Sequence, residues 1–221
     1  MLKVRSLTKF YEIKKHWYLK KEKYLVFENI NFSLEQGENL MILGQSGSGK
    51  STLAKILCFL EYPSEGEILY QNHNLHKIKK DKQRLLRKEI QYCFQDQKMA
   101  LNPYKKIKDL IQDGLENFNL KKNDEMIFDF FDRFGLKRQI LESKPYELSG
   151  GEASRIGLIR ALILKPKLLI LDEITSMLDV KNSKEILDFL KFYQQENHLS
   201  YIFITHQKEL FSQFKYKKIQ L

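Results

Sequence analysis

Two rhythms of apolar and polar positions run along this chain, and the places where one gives way to the other mark its elements. Ile30, Phe32 and Leu34 alternate with Asn29, Asn31 and Ser33, the period of a half-buried strand. Leu40-Met41-Ile42-Leu43 is an unbroken apolar run and predicts a buried strand. Leu53, Ile56, Leu57 and Leu60 then fall at helical spacing. Pro63-Ser64-Glu65-Gly66 is a turn, after which Ile68-Leu69-Tyr70 resumes a sheet. The basic stretch 77–88, with Ile78, Leu85 and Leu86, predicts a short helix. Ile90, Tyr92 and Phe94 alternate as a strand ending at Gln95.

From about 104 to 142 the period is helical. Ile107, Leu110, Ile111, Leu115 and Phe118 form one stripe, and Met126, Ile127, Phe130, Phe131 and Phe134 another, with Gly135 as the stop. The aromatic stripe reads as core of an inserted helical unit, with any exposed part open to a partner helix. A further helix opens at Leu148-Ser149-Gly150-Gly151-Glu152 and buries Ile156, Ile159, Leu162 and Ile163. Leu168 to Leu171 is a buried strand closed by Asp172 and Glu173. Ile186, Leu187 and Leu190 mark a helix, and Tyr201 to Ile204 a strand running into Thr205 and His206. The Lys-rich stretch between Tyr11 and Phe27, with His16, Trp17 and Tyr18, reads as a loop. Strands alternating with helices predict a parallel sheet covered on both faces, with ligands at the carboxyl ends of its strands.

The length, 221 residues, suits one large domain with a subdomain, and no repeat or linker divides it. Charged residues make up 30% of the chain and the net charge is +10. The lysines lie in short, scattered clusters (Lys14-Lys15, Lys20-Lys21, Lys79-Lys80, Lys121-Lys122), which read as solvated faces rather than a nucleic-acid patch. Cys58 and Cys93 have no C-x-x-C partner and read as buried, reduced thiols of a cytosolic protein. No run approaches a membrane span, and Met1 to Arg5 begins a strand rather than a signal peptide, so a membrane role would need partners that hold the chain there. His73 and His76 have no third ligand nearby and read as surface histidines.

Candidate chemistry gathers at three strand ends. Gly44-Gln45-Ser46-Gly47-Ser48-Gly49-Lys50-Ser51 matches the P-loop spacing between a strand and a helix. Glycines let backbone N–H groups wrap a phosphate, and the helix N-terminus adds a positive dipole end. Lys50 is expected to reach the β- and γ-phosphates and Ser51 to hold Mg²⁺, with Thr52 the next residue of the cradle. Asp172, an acid after four apolar residues, fits a Walker B anchor for the same metal. Glu173 is placed to act as general base on the attacking water. Tyr11 is expected to stack on an adenine ring, with Phe10 beside it, or plain packing, as the alternative.

Together these residues resemble the nucleotide-binding subunit of ABC transporters. Leu148-Ser149-Gly150-Gly151 is similar to the signature sequence, Phe94-Gln95-Asp96 to the Q-loop, Ser176-Met177-Leu178-Asp179 to the D-loop and Thr205-His206 to the switch histidine. The resemblance covers nearly the whole chain. It implies a RecA-like α/β core with an antiparallel β subdomain (1–95 and 150–221) and an inserted α-helical subdomain (about 96–149). It implies ATP and Mg²⁺ as ligands, Gln95 as sensor of the metal and water, and His206 as a contact to the γ-phosphate. It also implies a head-to-tail dimer, in which Ser149, Gly150, Gly151 and Asp179 face the nucleotide on the partner's P-loop. The partners implied are two transmembrane permease subunits, a second ABC ATPase (a different chain or a second copy) and, indirectly, an extracytoplasmic binding protein. Nucleic acid is not among them, and the place implied is the cytoplasmic face of the membrane.

Leu101-Asn102-Pro103 and Lys105-Lys106-Ile107 after the Q-loop narrow the resemblance to dipeptide, oligopeptide and nickel importers. Gln97, where many peptide members have proline, and the short stretch after His206 lean to nickel. The sequence departs from the family at Glu152, where glutamine is usual, and at Ala153-Ser154, Ile174 and Met177, none of which is a phosphate, metal or base ligand in the resemblance. An exporter ATPase shares every catalytic motif. A soluble ABC ATPase on DNA or ribosomes lacks support beyond the basic charge, and a P-loop kinase has no use for the signature.

Overall fold

A computed structural model describes residues 1–14, 22–176 and 178–221. The expectations for His16, Trp17, Tyr18 and Met177 lie outside the described residues. In chain order the elements are β1 (Leu2–Ile13), β2 (Glu22–Leu34), β3 (Asn39–Leu43), α1 (Lys50–Leu57), β4 (Glu65–Tyr70), β5 (His73–Asn74), α2 (Lys80–Glu89), β6 (Ile90–Cys93), α3 (Gln97–Ala100), α4 (Ile107–Asn117), α5 (Asp124–Arg133), α6 (Gly150–Leu162), β7 (Leu168–Asp172), α7 (Val180–Asn197), β8 (Ser200–Ile204) and β9 (Lys217–Gln220).

The strands form two sheets. One is antiparallel in the order β2-β1-β4-β5, and the other is parallel in the order β6-β7-β8-β3-β9. The parallel strands are apolar at nearly every position because both faces are covered. Leu40, Ile42, Leu168, Ile170, Ile202 and Ile204 pack toward α1 and the antiparallel sheet. Met41, Leu169, Leu171, Tyr201 and Phe203 pack toward α4, α5, α6 and α7. The aromatic stripe Phe130, Phe131 and Phe134 lies in that second core, as the helical pattern predicts. Parallel pairing aligns Ile42 and Asp172 with Ile204, which brings the P-loop, Glu173 and His206 to one edge of the sheet.

Several local expectations are corrected. Strands replace much of the loop expected between Tyr11 and Phe27: β1 runs to Ile13, β2 begins at Glu22, and Tyr11 pairs with Tyr24. Of the described lysines there, Lys23 lies exposed in β2 rather than in a loop. Helix α1 ends at Leu57, so Leu60 is 53% exposed rather than on its buried face. Strand β6 ends at Cys93, which frees Phe94 and Gln95 to enter a loop. His76 is half-buried rather than exposed: its ring nitrogens are buried, and the ring lies 6.0 Å from Phe59 and 5.1 Å from Tyr62. Strand β9, polar in composition, carried no sequence signal. It forms by parallel pairing beside β3. Cys58 and Cys93 are free and buried, as expected.

Candidate functional site

The loop after β3 turns through Gly47 and Gly49, both with positive φ, at 81° and 95°. Gly49 immediately precedes α1, and a β-carbon there would stand 2.5 Å from Val26 Cγ1, so conformation and space both demand glycine. Lys50 is 8% exposed. Its Nζ donates to the carbonyl oxygens of Gly44 at 2.9 Å and Gln45 at 2.7 Å, so the ammonium folds over its own loop. Ser48 Oγ is buried with no hydrogen-bond partner. A buried cation and an orphaned hydroxyl at a helix N-terminus fit an anionic ligand with oxygen acceptors.

A cleft of about 330 Å³ opens over this loop, lined by Tyr11, Tyr24, Val26, Ser46, Gly47, Gly49, Lys50, Ser51, Thr52, Gln95, Asp172 and Glu173. Asp172 ends β7, is 3% exposed, and accepts a hydrogen bond from Tyr92 Oη at 2.7 Å through Oδ2. Glu173 follows in the left-handed region, at φ 47°. That turn is clamped: its N–H donates to Ile204 O at 2.9 Å, and its carbonyl accepts from Ser176 Oγ at 2.8 Å. The clamp holds a strained residue in place, as functional residues often require. The carboxylate then meets two candidates at once. Gln95 Nε2 donates to Oε2 at 3.1 Å, and His206 Nδ1 lies 3.2 Å from Oε1. The predicted catalytic trio, scattered over the sequence, thus converges on Glu173.

The expected metal ligands Ser51, Gln95 and Asp172 line one cleft and offer only oxygen donors, the choice of a hard cation such as Mg²⁺. Among the described residues no group of three or more His, Cys, Asp or Glu could hold a metal. A cation here would therefore complete its shell with phosphate and water oxygens. Tyr11 is 38% exposed on the cleft wall, with Lys9 Nζ 4.8 Å from its ring centroid. Burial, followed by a hydrogen bond with Glu61, pushes its phenol above the ordinary value.

The description "ABC transporter" belongs to the family that matches residues 27–176, most of the chain. The chain belongs to the ABC transporter family. Among curated relatives it is 34% identical over 209 residues to the dipeptide transport ATP-binding protein DppF of Haemophilus influenzae, covering 93% of this chain and 64% of that one. It is 36% identical over 192 residues to the nickel import ATP-binding protein NikE of Shigella boydii, covering 86% and 72%. The chain therefore spans less than two thirds of the DppF length. The dimeric structure of MJ0796, a bacterial ABC transporter cassette, superposes with a TM-score of 0.87 at 26% identity, over 100% of this chain and 94% of that one. The fold is accordingly the P-loop ATPase fold of the ABC cassette.

In this ABC chain Ser149, Gly150, Gly151 and Asp179 do not line the cleft of their own P-loop. Ser149 caps α6, and the unusual Glu152 completes the cap. Ser149 Oγ accepts from Glu152 N at 3.2 Å, while Glu152 Oε2 accepts from Ser149 N and Oγ, both at 2.8 Å. Those bonds, the backbone one first, hold the Glu152 carboxyl below its ordinary range. Asp179 caps α7 by accepting from Asn182 N at 2.8 Å. Sequence reasoning missed Tyr92, whose place in an alternating strand signals packing only. Its hydroxyl finds Asp172 because β6 pairs with β7. Tyr24 and Val26 were also missed, since the cleft wall they form depends on the hairpin. A second cavity of about 420 Å³, lined by Phe94, Gln95, Asp96, Met99 and Ala100, opens beside Ser51 and Asp172. Met99 there is 84% exposed.

Proposed function

We propose that this chain binds ATP with Mg²⁺ and hydrolyses it to power an ABC importer of peptides or nickel. The observation that carries the reading is Glu173, held between Gln95 and His206 at the mouth of the P-loop cleft. In this reading Lys50 leaves its loop carbonyls for the β- and γ-phosphates, and Ser48 gains a partner. Ser51 and Asp172 would hold Mg²⁺, which when bound would neutralise charge on the phosphate oxygens. Tyr11 supports the adenine ring. Glu173 takes the proton of a water attacking the γ-phosphorus. The bond from that phosphorus to the bridging oxygen breaks, and ADP leaves with its electron pair. Gln95 orients Glu173 and the water, and His206 contacts the γ-phosphate.

The partner-facing residues, Ser149, Gly150, Gly151 and Asp179, serve the nucleotide of a second ABC subunit, most simply a different chain. The segment 96–149 acts as the helical subdomain. The cavity at Phe94, Met99 and Ala100 offers apolar surface to one of two permease subunits. No helix among the described residues is long and apolar enough to cross a membrane, so those partners would hold the chain at the cytoplasmic face. An extracytoplasmic binding protein would deliver the cargo, and ligands for nickel would lie there or in the permease. Relatives named for peptide and for nickel match this chain alike, at 34% and 36% identity. The nickel branch draws its support from Gln97.

The test is purification of the tagged chain from gently solubilised native membranes. Two multi-spanning subunits and a second ATPase are expected with it, and uptake of labelled nickel or dipeptide by the strain lacking it assigns the cargo. Recovery with ribosomes or nucleic acid in the soluble fraction would overturn the transport reading.

A further inference from the structure

Gln95 reaches Glu173 from a short loop, and that loop is fastened at both ends to one residue of α6. Before it, Cys93 Sγ donates to the carbonyl of Gly157 at 3.7 Å. Burial keeps that thiol protonated, its pKa pushed up to about 12. After it, Gln97 lies directly against Gly157. A β-carbon built on Gly157 would stand 2.2 Å from Gln97 Cδ and Oε1 and 2.8 Å from Cγ. Gln97 is only 7% exposed, so the missing side chain of Gly157 is the space the glutamine occupies. From that notch Gln97 Nε2 donates to the carbonyl of Phe94 at 2.9 Å. Phe94 is the residue immediately before Gln95. Asp96 adds a second brace by capping α3, accepting from Met99 N at 3.1 Å.

We propose that Gln97 is a positioning residue for the hydrolytic site. Seated in the Gly157 notch of α6, it pins the Phe94 carbonyl and so sets where Gln95 meets Glu173. The inference rests on the roles assigned above to Gln95 and Glu173. It gives residue 97 a task in hydrolysis that proline, having neither amide side chain nor reach, could not perform. It also ties the placement of Gln95 to the helix that Ser149 caps. A side chain that holds a catalytic neighbour acts on turnover more than on binding, because small misplacements of reacting groups are costly.

Three variants of the full chain decide it: Gln97→Met, Gly157→Ala and the double variant Gln97→Ala/Gly157→Ala. Methionine keeps the volume and loses the donor. The alanine at 157 forces the glutamine out of its notch. The double variant refills the space without the hydrogen bond. Steady-state hydrolysis of Mg-ATP in the assembly with the co-purified second ABC subunit, and thermal melting and hydrogen exchange of the 93–97 segment in the chain itself, are measured for each. The expected result is a fall in kcat of about tenfold or more in Gln97→Met and Gly157→Ala, with KM for ATP within about twofold. The double variant recovers the melting temperature but not kcat, and exchange in the segment is faster in all three. Wild-type kcat in Gln97→Met, or a double variant that recovers kcat, reduces Gln97 to packing and overturns the proposal. If the wild-type chain assembled with the second ABC subunit releases no phosphate, the hydrolysis reading fails separately. Exchange then decides the pinning alone: faster in Gln97→Met supports it, unchanged refutes it.

Discussion

Replacing Tyr92 by phenylalanine removes one oxygen and tests the anchor beneath the proposed metal. The Tyr92 ring packs against Phe94, centroids 4.3 Å apart, and that contact survives the change. What is lost is the 2.7 Å hydrogen bond to Asp172 Oδ2. Asp172 is 3% exposed, so water cannot readily replace the donor. Hydrogen bonds to charged groups contribute about 1.5–3 kcal/mol, and a buried acceptor left alone costs a similar amount. The variant should therefore lose about 1.5–3 kcal/mol of unfolding free energy. For a chain of this size that is a drop of about 3–12 °C in melting temperature. Urea unfolding should show a lower midpoint with an unchanged slope, since no more surface is exposed. Saturating Mg-ATP should narrow the gap to wild type, because a cation then supplies Asp172 with charge. ATP with a chelator should leave the gap open. A loss below about 0.5 kcal/mol without nucleotide would refute the view that Asp172 depends on Tyr92. Equal rescue with and without Mg²⁺ would refute the metal role of Asp172.

Other perturbations separate the remaining parts. Glu173→Gln should bind ATP normally yet lose about 10²–10⁴-fold in turnover and accumulate a dimer on size exclusion; wild-type turnover would end the general-base assignment. Lys50→Ala should weaken ATP binding itself in titration calorimetry, and unchanged affinity would count against its phosphate contact. Gly49→Ala should destabilise by about 2–4 kcal/mol in chemical denaturation, since a side chain meets both a strained φ and Val26. Burial holds the His76 imidazole below its ordinary 6.5, against a smaller opposing pull from the Ile56 backbone. The unfolded chain then binds the proton first, so stability should fall as pH drops below about 6.5 and should be flat above it. His76→Phe should flatten that acid slope, and an unchanged slope would refute the assignment.

The sequence alone determined the elements whose signals are local. A P-loop is a set of backbone demands, glycines where φ must be positive and a lysine and serine at fixed offsets, so its spacing is readable before any fold is known. The buried parallel strands announce themselves for a like reason: with both faces covered, every position from Leu168 to Leu171 must be apolar. The signature at Ser149 and the acids at Asp172 and Glu173 follow from the same short-range logic.

What the tertiary structure alone decided depends on which strand lies beside which. Tyr92 serves Asp172 only because β6 pairs with β7, and Gln95 and His206 meet on Glu173 only because three strand ends share an edge. Strand β9 forms on the strength of a neighbour, β3, far away in sequence. Gln97 and Gly157 fit as side chain and notch because a loop and a helix distant in sequence are brought into contact. Periodicity records whether a residue is buried. It carries no record of the partner it is buried against, and the geometry of this site is made of partners.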